Sequence, residues 1–87
     1  MSDFKGKISG FHVLRFGVGA DVRLRCFAIV SEPLPPPNGK EIQVITDELP
    51  LQLALSVGAT LRTEVEVVYD ESDEGKQLSS VRMLDRS

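Results

Sequence analysis

Residues 63–70 read TEVEVVYD, and the alternation of Val65, Val67 and Tyr69 with Glu64 and Glu66 fits only one regular backbone. Successive side chains of a β-strand point to opposite faces, so such a segment offers one face to a core and the other to water. The same period of two recurs in Asp21–Val30, where Val22, Leu24 and Cys26 alternate with Arg23 and Arg25. A third stretch, Lys7–Phe16, changes phase within itself: Ile8 points one way, and after Gly10 the pair Phe11 and Val13 points the other. A glycine at a phase break indicates a β-bulge or sharp coil that lets one strand serve two sheets. Gly17-Val18-Gly19-Ala20 then makes a turn, so the first two strands form a hairpin. Glu41–Thr46 (EIQVIT) reads as a short third strand, and Lys76–Leu84 as the last, with Val81 and Met83 in one phase.

Between these strands lie segments that cannot extend them. Ser31–Lys40 (SEPLPPPNGK) holds four prolines, which lack amide donors and fix φ; they give a stiff loop closed by an Asn38-Gly39 turn. Glu71-Ser72-Asp73-Glu74-Gly75 is an acidic turn. One segment reads as helix, over residues 48–58. Asp47 stands at the N-cap, Glu48 suits the positive end of the helix dipole, and Pro50 fits the first turn. Leu51, Ala54, Leu55 and Gly58 recur at the spacing of a buried stripe, and Gly58 is placed to end the helix.

The resulting order is strand, strand, strand, helix, strand, strand: a mainly β chain with one short helix between strands three and four. Eighty-seven residues suffice for one core and not two, so residues 1–87 form a single domain. Within it, residues 1–6 read as an N-terminal tail, 31–40 as the Pro-rich loop and 85–87 as a C-terminal tail. This order, the glycine inside the first strand, and the runs LQLALSVGATLRTEVEVVYD and LSSVRML resemble small bacterial oligonucleotide/oligosaccharide-binding (OB) barrels. The layout is similar to that of the B-subunits of AB5-type toxins, although Cys26 is the only cysteine and no disulfide pair can form. An SH3-like barrel or a β-sandwich fragment is the competing architecture. The resemblance implies a five-stranded barrel that binds ligands across its second and third strands and flanking loops. On that face it places His12, Arg15, Phe16, Arg23, Arg25 and Gln43.

Little in the chain suggests catalysis. A Cys–His pair would have to join Cys26 to His12, yet Cys26 shares its phase with Val22 and Leu24, and His12 lies opposite Phe11 and Val13. One Cys and one His cannot furnish a zinc site. The cluster Asp70, Glu71, Asp73 and Glu74 lacks the ligand spacing of an EF-hand loop. The expectation is a non-enzymatic module without cofactor or metal, docking on a partner protein or on a second copy of itself. A single-stranded nucleic acid or a saccharide is the alternative ligand. Phe11, Phe27 and Tyr69 read as core rings, which leaves Phe4 and Phe16 for stacking. The net charge of −3 is unevenly spread. Residues 1–25 carry a balance of +3, and residues 41–74 one of −8, which suggests a basic face beside an acidic one. No segment has the length of a membrane span or the form of a signal peptide, and with a lone thiol the expected compartment is the cytoplasm.

Overall fold

The computed structural model describes residues 1–33 and 38–84; most of the expected proline arm, at 34–37, and the expected tail at 85–87 lie outside them. Five strands are present: β1 (Ser2–Phe16), β2 (Arg23–Ser31), β3 (Glu41–Thr46), β4 (Glu64–Ser72) and β5 (Gly75–Met83). One helix, α1 (Leu49–Leu61), falls between β3 and β4, and a single 3₁₀ turn at Gly19–Asp21 joins β1 to β2. The strands close in the order β1-β2-β3-β5-β4, a five-stranded closed layout with the helix between β3 and β4 as expected. All pairs are antiparallel except β3–β5, a short parallel seam of Val44 with Lys76 and Ile45 with Gln77. No helix among the described residues is long and apolar enough to cross a membrane.

The barrel closes because β1 has two partners. Its first part, Ser2–Lys7, pairs with β4, and its second, Lys7–Phe16, with β2. Residues 1–6 are therefore not a tail: from Ser2 onward they are strand, held by the ladder to β4. The phase break is a bulge as expected, with the register shifting between Ile8 and Gly10 so that Ser9 is the extra residue. Its hydroxyl lies 2.7 Å from that of Ser31 across the pair. At the handover Gly6 is buried, and a Cβ there would collide with the carbonyl of Ser31. Only glycine lets the strands approach so closely.

Alternation fills the barrel. Cys26, Ala28 and Val30 of β2, Val44 of β3, and Val65 and Val67 of β4 are fully buried, and Leu78 of β5 is nearly so. Leu55 of α1 completes this cluster. Burying a leucine side chain is worth roughly 2 kcal/mol, so this one contact contributes much of what seats the helix. Burial also pushes the Cys26 thiol up to about 11.

Two expectations for α1 are corrected. Asp47 does not cap it: the N-cap residue is Glu48, which makes no side-chain capping bond, and the Asp47 carboxylate instead binds Arg25. Gly58 does not end it either. The helix runs to Leu61 and stops at Arg62, whose φ of 54° is left-handed. Gly58 is instead a contact point, with Val65, Ile8 and Met83 side chains within 3.4 Å of where a Cβ would sit. The buried stripe also carries a polar residue, Gln52. Its amide donates to the carbonyls of Leu24 (2.8 Å) and Thr46 (3.4 Å), stitching the helix to β2 and β3.

Leu55→Ala is expected to cost about 2–5 kcal/mol in urea denaturation, by the cavity it leaves. Leu53→Ala, on the exposed side of the same helix, should stay within about 0.5 kcal/mol. Gly6→Ala should cost about 1–3 kcal/mol, because backbone rather than a flexible side chain must yield. In the folded protein Cys26 should resist a thiol-reactive dye at pH 8 and react in step with unfolding, the thiolate being the reacting form; rapid labelling under native conditions would contradict its place in the core.

Candidate functional site: the projecting hairpin

The first hairpin outruns the barrel. Beyond the bulge, β1 is paired only with β2, and every residue from Phe11 to Leu24 is exposed. Seven of these are large and apolar: Phe11, Val13, Leu14, Phe16, Val18, Val22 and Leu24. The alternation of Val22 and Leu24 with arginines suggested a half-buried strand. Both residues are instead more than 40 % exposed, because the core ends at Cys26 and the hairpin continues past it. Isolated apolar residues are ordinary on a surface, whereas a concentration on one projecting element indicates contact with something.

Cross-strand pairing sorts the candidate residues by face, since directly opposite residues project to the same side. His12 is opposite Phe27, Leu14 opposite Arg25, Phe16 opposite Arg23, and Ile29 opposite Gln43. His12, Phe16, Arg23, Arg25 and Gln43 therefore share the outer face of β1, β2 and β3. Arg15 does not join them: it is opposite Leu24, in phase with Phe11 and Val13, on the side continuous with the barrel interior. A shallow depression of about 360 Å³ lies on the outer face. Gly10, His12, Leu14, Phe27, Ile29 and Gln43 are among its lining residues, and its wall is almost wholly apolar.

Arg25 dominates the electrostatics of this face. Its Nε donates to Asp47 Oδ1 at 2.8 Å and its Nη2 to Oδ2 at 3.1 Å, a two-pronged pair. The same Nη2 lies 3.2 Å from a carboxylate oxygen of Glu74, and the guanidinium sits 5.1 Å from the centre of the Phe16 ring. The hydrogen bond from Arg25 holds the Asp47 carboxyl below its ordinary range. Two further contacts join the basic and acidic parts of the sequence within one molecule: the N-terminal amine with Asp70 at 3.4 Å, and Lys5 with Glu66 at 3.9 Å. Arg15 and Arg23 make no ion pair among the described residues.

The aromatic assignments change as well. Phe11, read as a core ring, is 38 % exposed, and Phe4, read as available for stacking, packs against the core. His12 and Cys26 lie on opposite faces of their strands, His12 with Phe27 outside and Cys26 wholly inside. Among the described residues no group of three or more His, Cys, Asp or Glu is placed to hold a metal ion. A second apolar row, Leu49, Leu53, Val57 and Leu61, is exposed along α1. Its spacing of four is visible in the sequence, but it was masked by the stripe that does bury. No protein-family model, curated protein or solved structure matches the chain.

Because the folded Asp47 carboxyl is depressed, its pairing with Arg25 stabilises the fold above the ordinary value of 3.8 and is lost as pH falls through its lowered value. Asp47→Asn should therefore have a lower thermal midpoint than the unmodified protein at pH 7, with the gap closing well below pH 3.8. A gap that stays constant across that range would assign the effect to shape rather than charge.

Proposed function

We propose that this barrel is a non-enzymatic binding module that docks on protein through its projecting β1–β2 hairpin. The observation that carries this reading is the unbroken exposure of Phe11–Leu24 together with its seven large apolar side chains. A small domain leaves only about 40 % of its unfolded surface exposed, and apolar groups concentrated in that share are its main source of association energy. The depression on the outer face has the size and the apolar wall to receive one large side chain of a partner. The likeness in layout to AB5-toxin B-subunits supports a barrel that works by presenting surface, and no sugar-binding role is carried over from it. The alternative of nucleic acid draws less support, because Arg25 is committed to Asp47 and Glu74 and only Phe16 and a half-buried Phe27 are near it for stacking.

A photo-cross-linking amino acid placed at Leu14, compared with one at Ser80, tests this reading in cells that make the protein naturally. Ser80 is exposed on β5, which pairs with neither strand of the hairpin. Discrete protein adducts identified by mass from Leu14 and not from Ser80, lost on Phe16→Ser, are the expected result. No adduct at Leu14, or the same adducts from both sites, would overturn it.

A further inference from the structure

The hairpin has an edge as well as two faces, and among the described residues nothing pairs with that edge. β1 has two neighbours in the barrel, but β4 reaches only as far as Lys7, and from Gly10 to Phe16 β1 is paired on the β2 side alone. Among the described residues no other backbone or side-chain hydrogen bond reaches that stretch. An unpaired, largely apolar edge is a template for another strand, and proteins that avoid such pairing protect the edge with charge, proline or a covering loop. Here the seven residues Gly-Phe-His-Val-Leu-Arg-Phe contain no proline and a single permanent charge, Arg15.

We propose that the occupant of this edge is the same edge of a second copy, paired antiparallel about a two-fold axis through Val13. This rests on the reading of the hairpin as a protein-docking surface and names the partner. A two-fold axis perpendicular to the sheet keeps like faces together, so residues pair only with residues of the same phase. Centring on Val13 uses the whole free stretch and sets no like charges opposite one another. On the core-side face Val13 meets Val13, and Arg15 of one copy meets Phe11 of the other. A cation is thereby set against the negative face of an aromatic ring. On the outer face His12 meets Leu14, and Phe16 meets Gly10 of the other copy, next to the Ile29 side chain that lies within 3.5 Å of where a Gly10 Cβ would sit and offers the ring an apolar contact. The two Arg15 side chains fall four residues out of register, roughly 13 Å apart along the strands. That is beyond the screening length of about 8 Å in physiological salt. Centring on His12 would instead set two imidazoles face to face, and centring on Leu14 would leave Gly10 and Phe11 unpaired.

The pairing also accounts for the exposure of the β1 half of the hairpin. Phe11, Val13, Leu14 and Phe16 are each between 38 % and 45 % exposed in one copy, and all four lie in the rows that the second copy would cover. The result is a continuous sheet, β2-β1-β1-β2, with the two barrels at its ends.

Position-specific disulfide formation tests both the partner and the register. Cys26 is the cross-strand neighbour of Val13 within one copy, so the cysteine variants also carry Cys26→Ala; in that background the two introduced thiols of Val13→Cys face each other across the axis, with Cβ atoms about 4.5–5.5 Å apart. Mild oxidation should give a covalent dimer in high yield. Arg15→Cys, on the same face but four residues out of register, should give little. Native mass spectrometry of the unmodified protein should show a dimer, and Val13→Lys, by setting two ammonium groups opposite one another, should weaken it about tenfold or more. Val13 is exposed in the single copy, so this variant is expected to fold, and circular dichroism matching the unmodified protein checks that. A monomer at all concentrations up to about a millimolar, the weak limit of specific association, would overturn the proposal. So would equal cross-linking at residues 13 and 15. Neither result touches the docking reading if Leu14 adducts with a different protein are found in cells, whereas loss of all adducts ends both.

Discussion

One strand closes this barrel, and the geometry of its crossing governs nearly everything else. β1 must leave β4 and join β2 within a few residues, which requires a glycine where the backbones touch and an extra residue to reset the phase. Gly6 and the Ser9 bulge meet those needs. The bulge determines which side chains of the second half face inward, and so places His12, Leu14 and Phe16 outside while Phe11, Val13 and Arg15 continue the interior row. Since β4 ends its pairing at Lys7, no strand among the described residues lies along the other side of the rest of β1. Closure of the barrel and exposure of the hairpin edge are two results of the same long strand.

Much of this architecture was legible in the chain. Alternation in TEVEVVYD and DVRLRCFAIV, the glycine at the phase break, and one window of helical spacing are enough to give the element order; the closed layout follows only from the resemblance of that order to OB barrels. What could not be read were the limits of the core. Val22 and Leu24 have the same phase as Cys26 and the same apolar character, yet they are exposed because nothing lies opposite them; periodicity reports direction, not whether a neighbour is there. Residues 1–6 carry too weak a pattern, with Lys5 and Lys7 around a glycine, to be told from a tail without the partner strand β4.

The candidate face was legible in part for the same reason. His12, Phe16, Arg23, Arg25 and Gln43 follow from counting alternation along three strands, and the structure gathers them on one side. Arg15 has the charge expected of that face but the opposite phase, so it falls on the other side. Asp47 departs from expectation for a different reason: an aspartate just ahead of a helix is an ordinary cap, and only the fold brings a guanidinium that binds it with both prongs. Gln52 is the counterpart among neutral groups. A polar residue on an apolar stripe is an anomaly in sequence and a stitch between elements in space.

The parallel seam between β3 and β5 rests on two residue pairs, which makes it the thinnest part of the wall. Arg25 reaches from β2 to Asp47, just past the end of β3, and to Glu74, in the turn leading into β5. Its side chain is thus a clasp laid over the seam from outside, on the same face as the apolar depression. An anion that drew Arg25 away would loosen the wall beneath it, and a contact that pressed Arg25 home would tighten it. By thermodynamic reciprocity, any event that spreads the seam also weakens the hold of Arg25 on Asp47 and Glu74.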